Sequence, residues 1–153
     1  MSLTRAQFET IMIQRIGGWY ANVSFPVTII GSNAALNDPL GYAIRVAGGT
    51  VASYALVADA DLLTVADADL DMLLDVAELR ALENVLSNFT LVDAKAGPVE
   101  AKSSQFADRL ERVIARKRSQ IAVRYGIEYS ATMQTGVISL NFTELDDGVY
   151  ITS

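Results

Sequence analysis

Cysteine and histidine are both missing from the 153 residues. Without cysteine there are no disulfides, no thiol nucleophile and no zinc site built on sulfur. Without histidine there is no Ser-His-Asp triad, no imidazole base and little scope for transition-metal catalysis. Only three lysines (Lys95, Lys102 and Lys117) and three prolines occur. Any catalysis is left to carboxylate, lysine or tyrosine chemistry. No apolar run approaches the roughly 18 residues that span a bilayer. The start, Met1 to Arg5, lacks a basic region followed by an apolar core, so no signal peptide is expected.

What is present points to one folded domain. Hydrophobic residues make up 51% of the chain and charged ones 20%, which excludes a disordered polymer. The formal net charge is −6, with an isoelectric point near 4.5, so general affinity for nucleic acid or anionic membrane is not expected. A mean hydropathy of +0.27 is high for a solvated monomer and hints at surface buried in an assembly. Three Asn-x-Ser/Thr triplets, at Asn22, Asn88 and Asn141, have no secretory context and read as chance.

Charge falls in blocks. Residues 59–93 hold nine acidic groups and one basic, residues 94–126 eight basic and three acidic, and residues 127–153 four acidic and none basic. Such alternation suggests that segments meet through opposite charge.

Periodicity divides the chain further. Thr4 and Gln7 form a capping box, Leu3 can staple on Phe8, and Phe8, Ile11, Met12 and Ile16 make a helical stripe that Gly17-Gly18 is expected to close. Residues 19–36 read as a loop or strand excursion, with Val27 to Ile30 strand-like after Pro26. Asp38-Pro39 signals a helix start and Gly48-Gly49 its end. Asp59 to Leu63 reads as a single helical turn. Leu70, Leu73, Leu74, Ala77, Ala81, Leu82, Val85 and Phe89 keep the helical period, and so do Phe106, Leu110, Val113, Ile114 and Ile121. After Gly126 the period changes to two, at Ile138, Leu140 and Phe142 and again at Val149 and Ile151. The expected fold is therefore mainly α. It is a small helical bundle with two long helices, about 67–88 and 104–125, plus an extended or β-hairpin C-terminal arm. The body is 1–126 and the arm 127–153.

Several constellations could carry chemistry. From Asp67 the acidic residues match the spacing of a calcium loop, with Glu78 at its twelfth position. Yet Met72 stands where the loop's bend needs glycine, and the helical stripe runs through unbroken. Asp67, Asp71, Asp75 and Glu78 are thus expected on one helix face. Arg109, Arg112 and Arg116 recur at helical spacing on the other long helix. Charge pairing between Asp67, Asp71, Asp75, Glu78 and Arg112, Arg116, within or between subunits, competes here with phosphate binding. Trp19-Tyr20 is either core or a ligand platform. Asp59 and Asp61 remain formal candidates for acid–base work. No catalytic residue, metal ligand or cofactor is expected.

The run Asn37-Asp38-Pro39-Leu40-Gly41-Tyr42-Ala43, then Gly48-Gly49, then Val57 to Leu62, resembles the head–tail connector (adaptor) proteins of tailed bacteriophages. So do Leu73 to Asn84 and Ser104-Gln105-Phe106-Ala107 ahead of a basic helix. The resemblance covers residues 37–125 and leaves out 19–36 and the tail. It implies a non-enzymatic virion protein forming a ring, usually twelvefold, beneath the portal protein in the neck between capsid and tail. Assembly would take place in the host cytoplasm. Such a ring continues the DNA channel without binding DNA specifically, and links to the stopper or tail. A C-terminal arm would dock on the portal, with Ile138, Leu140, Phe142, Val149 and Ile151 as anchors. The competing reading is a small DNA-binding or DNA-packaging factor using the basic helix 104–125, with a carboxylate enzyme far behind.

Overall fold

A computed structural model describes residues 3–96 and 100–127. The expected arm, with Ile138, Leu140, Phe142, Val149 and Ile151, lies outside the described residues. The rest is mainly helical, and no strand occurs among the described residues. Helix α1 spans Arg5–Asn22, α2 Asn37–Val46, α3 Asp59–Leu62, α4 Leu70–Ala96 and α5 Glu100–Tyr125. Short 3-10 turns, Ala34–Leu36 and Asp67–Asp69, lead into α2 and α4.

Helix α4 is the spine of the fold. Helix α2 packs most extensively along it, α5 returns antiparallel beside it, and α1 crosses it. The core joins Phe8, Met12, Ile16 and Tyr20 of α1 to Leu40, Ala43 and Ile44 of α2. Leu73, Val76, Ala77, Leu79, Leu82 and Val85 of α4 and Leu110, Ile114 and Ile121 of α5 complete it. Val76 and Leu79 fall outside the expected stripe because α4 is covered on more than one side. An amphipathic reading finds only one of those sides.

The start of α1 follows the sequence closely. Thr4 Oγ1 accepts from Gln7 N at 3.3 Å, and Thr4 N donates to Gln7 Oε1 at 3.0 Å. Its end does not. Gly17 and Gly18 lie inside the helix, which continues to Asn22 and stops at Ser24, a non-glycine residue at φ 58°. There Phe25 N donates to Tyr20 O at 3.0 Å and Ser24 N to Ala21 O at 3.4 Å, the paired bonds of a Schellman stop. Two helical glycines cost about 1 kcal/mol each. Burial of Tyr20 and packing of Trp19 in the extra turn oppose that cost.

Helix α2 also begins differently. Asn33 caps the 3-10 turn by accepting from Ala35 N at 3.1 Å, and α2 runs on from it. The Asp38 carboxylate, expected as the cap, instead receives Arg80 Nε and Asn84 Nδ2 of α4, both at 2.9 Å. Gly48, at φ 81°, ends α2 as expected, with Gly49 N donating to Ile44 O at 2.8 Å. A Cβ on Gly49 would lie 2.6 Å from Thr64 Oγ1 and 2.8 Å from Ile44 Cγ2.

The long segments between helices are tied to α1 by one buried ion pair. Glu9 is fully buried and Arg5 nearly so, with Arg5 Nε 2.9 Å from Glu9 Oε1. Glu9 also accepts from the N–H groups of Asn33 (2.7 Å), Gly31 (2.8 Å) and Ile30 (3.0 Å). Arg5 Nη2 donates to Asn33 O at 2.8 Å and Nη1 to Val57 O at 3.4 Å. Asn37 spans the second segment, donating to Ala55 O and accepting from Val57 N. Burial opposes ionisation of Glu9, but the Asn33 N–H, the Arg5 guanidinium and the Gly31 and Ile30 N–H groups outweigh it. They hold the carboxyl below its ordinary value.

Two outcomes are expected. Glu9→Gln should cost about 3–5 kcal/mol in urea unfolding, because it strands Arg5 and turns an amide donor toward backbone donors. A folded-state pKa below the unfolded one gives stability that is present above about pH 4.3 and lost as pH falls through the folded value. The variant's stability should therefore rise less steeply with pH in acid than the wild type's. Gly49→Ala should cost about 1–3 kcal/mol through overpacking, read as a lowered thermal midpoint.

Candidate functional site

The acidic half of α4 faces the C-terminal half of α5, as the antiparallel pairing dictates. Asp75 and Glu78 lie one turn apart and share the Lys117 ammonium, at 3.2 and 2.9 Å. Arg15 of α1 bridges the same two carboxylates, at 3.3 and 3.0 Å. Asp75 Oδ2 accepts from the Tyr125 hydroxyl at 2.8 Å and from Arg124 Nη1 at 3.3 Å. One turn further along α4, Glu83 accepts Arg118 Nη2 at 2.8 Å. These contacts join three helices at one end of the bundle.

Burial opposes ionisation of Asp75, but the Tyr125 hydroxyl, Lys117 and Arg15 outweigh it and keep the carboxyl below its usual range. Burial, together with the hydrogen bond that the hydroxyl donates to Asp75, pushes Tyr125 up to about 12. Asp71 is more exposed, and its 3.8 Å contact with Arg124 adds little. Asp67 lies in the 3-10 turn ahead of α4. Residues 70–78 are helical, so Asp71, Asp75 and Glu78 project from a helix and do not wrap an ion.

Arg112 and Arg116 stand apart from this cluster. Both are exposed, and neither forms an ion pair among the described residues. The α5 core face is set by Leu110, Ile114 and Ile121, and Lys117 and Arg124 flank it. Arg109, Arg112 and Arg116 occupy the opposite side. That distinction is readable from helical angles: Lys117 is seven residues from Leu110, whereas Arg112 is only two.

Of the three exposed arginines, Arg109 borders aromatic side chains. Trp19 meets Phe106 at 5.3 Å between ring centroids, Phe89 meets Phe106 at 4.5 Å, and Arg109 lies 6.0 Å from the Trp19 ring. An open depression of about 560 Å³ lies here, lined by Arg15, Gly18, Trp19, Asn22, Gln105, Phe106 and Arg109. A second, of about 530 Å³, shares Gln105 and Arg109 with it and is lined further by Asp108, Arg112, Val113 and Arg116. Trp19 is therefore half-buried at the rim, whereas Tyr20 is wholly buried, edge-on to Phe25 and bonded to Ala35 O.

Asp59 and Asp61, the carboxylates considered for acid–base work, serve the backbone. Asp59 accepts from Arg5 N. Asp61 accepts from Ala52 N and Ala58 N, both at 2.9 Å, which fixes the 47–58 segment over α3. Among the described residues no group of three or more potential ligand side chains is gathered around a metal position. Among the same residues no helix is long and apolar enough to cross a membrane. Comparison with protein-family models, with curated proteins and with solved structures finds no match.

Asp75→Asn should cost about 2 kcal/mol, the scale of hydrogen bonds to a charged group. It should also return Tyr125 toward the ordinary tyrosine value near 10. Phenolate absorbance titrated to high pH, with Tyr125→Phe to assign the band, checks both the raised value and its cause.

Proposed function

We propose that this chain is a structural, non-enzymatic subunit of a tailed-bacteriophage neck. In this reading it is a head–tail connector that associates with copies of itself into a ring, usually of twelve, beneath the portal. The ring extends the DNA channel and offers its far side to a stopper or tail protein. It resides in the virion neck and is assembled in the host cytoplasm.

One observation carries the reading. The residues behind the connector resemblance are those that lock α2, α3 and the first half of α4 into one unit. Asn37 fastens the 55–57 backbone, Asp38 is clamped by Arg80 and Asn84, Asp61 holds Ala52 and Ala58, and Gly49 packs against Thr64 and Val65. These motif positions therefore have an architectural use, which suits a scaffold subunit. Engagement of Asp59 and Asp61 with the backbone supports the same reading over a carboxylate enzyme.

A second reading has its own observation. Arg109 is exposed beside Trp19 and Phe106, and Arg112 and Arg116 are exposed further along the same face of α5, an arrangement able to take phosphates with a base stacked at one end. It would make the chain a small DNA-binding or DNA-packaging factor.

Mixing the chain with the portal of its own virion tests the first reading. The full chain should co-sediment with portal rings. A chain truncated after Gly126, confirmed helical by circular dichroism, should not join them. Joining by the truncated chain would refute docking by the arm, and failure of both would refute the connector reading. With duplex DNA, binding should be weak, show no sequence preference, and have a salt slope no steeper than about −3, as three arginines would give. Nanomolar, sequence-selective binding abolished by Arg112→Ala with Arg116→Ala would establish the second reading instead.

A further inference from the structure

An open groove runs between the second half of α1 and α5. Gly18 and Trp19 of α1 and Phe106 of α5 line its first part, and Val113 its second. Arg109, Arg112 and Arg116 stand exposed along it, whereas Trp19 and Val113 are half-buried. Gly18 has no turn to make there. It lies inside α1, and a Cβ on it would meet nothing within 4 Å. Alanine would fit and would favour the helix, so the isolated chain gains nothing from glycine at this position. The bare backbone beside Trp19 instead leaves room for an incoming side chain.

The complementary surface lies at the other end of α1. No lysine or arginine occurs from Val46 to Leu79. Within that stretch Leu63 is 67% exposed at the end of α3, although its neighbours Leu62 and Val65 are buried. Asp59 lies one helical turn before Leu63, on the same face, and Asp67 and Asp71 follow it in the chain. All three carboxylates are exposed. The corner is held firmly, because Asp59 accepts from Arg5 N and Asp61 from Ala52 N and Ala58 N. It presents one apolar side chain with acidic groups on either side of it along the chain.

We infer that the Leu63 corner of one copy docks in the Gly18–Trp19 groove of a second copy. Leu63 packs on Trp19 and Phe106 beside Gly18, while Asp59, Asp67 and Asp71 face Arg109, Arg112 and Arg116. Charge and apolar complement are thus both carried by this chain, on surfaces that it cannot bring together itself. Asp59 ties the corner to Arg5, and Gly18 is thirteen residues further along α1, about 20 Å at 1.5 Å per residue. Nor can two grooves meet, because arginine would face arginine. Duplex DNA is a poorer occupant, since Asp108 stands among the arginines and the net charge is −6. Corner and groove are different surfaces, so the contact is head-to-tail and leaves each pair with one free corner and one free groove. The inference rests on the reading of this chain as one that associates with itself, and needs neither the portal nor DNA.

Two full-length variants separate the halves of the contact. Leu63→Lys spoils the corner and keeps the groove, whereas Arg109→Glu with Arg112→Glu spoils the groove and keeps the corner. In sedimentation velocity the wild type should self-associate as concentration rises. Each variant alone should do so at least about tenfold more weakly. Mixed, the two should pair through the one intact corner and the one intact groove, and stop at a dimer. Trp19 is the only tryptophan. With Trp19→Phe added to the groove variant, emission reports the other chain's groove and should shift to the blue on mixing. Gly18→Leu should keep the thermal midpoint of the isolated chain while weakening association, which a merely structural glycine would not do. Variants that associate as the wild type does, a mixture that stays monomeric, or a wild type monomeric at every soluble concentration would each overturn the inference. So would duplex DNA bound equally by the wild type and Leu63→Lys without pairing of chains, which would assign the groove to the second reading. All of these outcomes leave the connector reading to be decided by co-sedimentation with the portal. Retained helical circular dichroism in each variant excludes misfolding as the cause of a negative result.

Discussion

A single buried carboxylate determines where much of this fold can go. Glu9 accepts four hydrogen bonds, three from the backbone of residues 30–33 and one from Arg5. Arg5 in turn reaches the carbonyls of Asn33 and Val57. Two long segments that have no regular structure to satisfy their own backbone are thus tied to the first turns of α1. Buried backbone polar groups need such partners, and a charged acceptor makes stronger bonds than a neutral one. The arrangement stabilises conditionally. With both charges and every donor in place it offsets its desolvation, and with one partner removed it becomes a liability of several kcal/mol.

The second electrostatic cluster differs in kind. Asp75, Glu78, Arg15, Lys117 and Tyr125 hold together helices that already share an apolar interface, and their side chains keep some contact with solvent. Their contribution is to fix the rotation of α5 against α4. Leu110, Ile114 and Ile121 would accept several small rotations, but the shared Lys117 ammonium accepts few. One outcome is that Arg112 and Arg116 are turned outward. The same constraint that closes one face of α5 opens the other.

Much of this was legible in the sequence wherever the determinant is local. The Thr4–Gln7 box, the Gly48 stop and the single turn at 59–62 follow from short spacings that hold in any context. The period of 70–89 identified α4, and block charge identified its meeting with a basic helix. What escaped was set by distant partners. Gly17-Gly18 carried a stop signal that the packing of Trp19 and Tyr20 overrode. Asp38 carried a cap signal, yet Arg80 and Asn84, over forty residues away, claim its carboxylate. Asp75 and Glu78 are legible from their spacing, whereas the equally regular spacing of Arg112 and Arg116 offers them as partners within or between subunits without saying which pair forms inside one chain. Within the chain Lys117 and Arg124 hold that place because they flank the buried stripe, a criterion that needs the stripe's direction as well as its existence.

The surfaces left open differ in chemistry. Along the outward face of α5, Arg109, Arg112 and Arg116 are exposed with Asp108 among them, and Arg109 lies 6.0 Å from the Trp19 ring. Between Phe25 and Gly31 the chain is uncharged, and Val27, Ile29 and Ile30 are exposed. Arginines repel arginines, so the α5 face is poorly suited to meet the same face of a second copy, whereas the uncharged segment carries no such penalty. Salt therefore acts on the two surfaces differently: it weakens any anion contact at the arginines and leaves apolar contact at 26–30 intact.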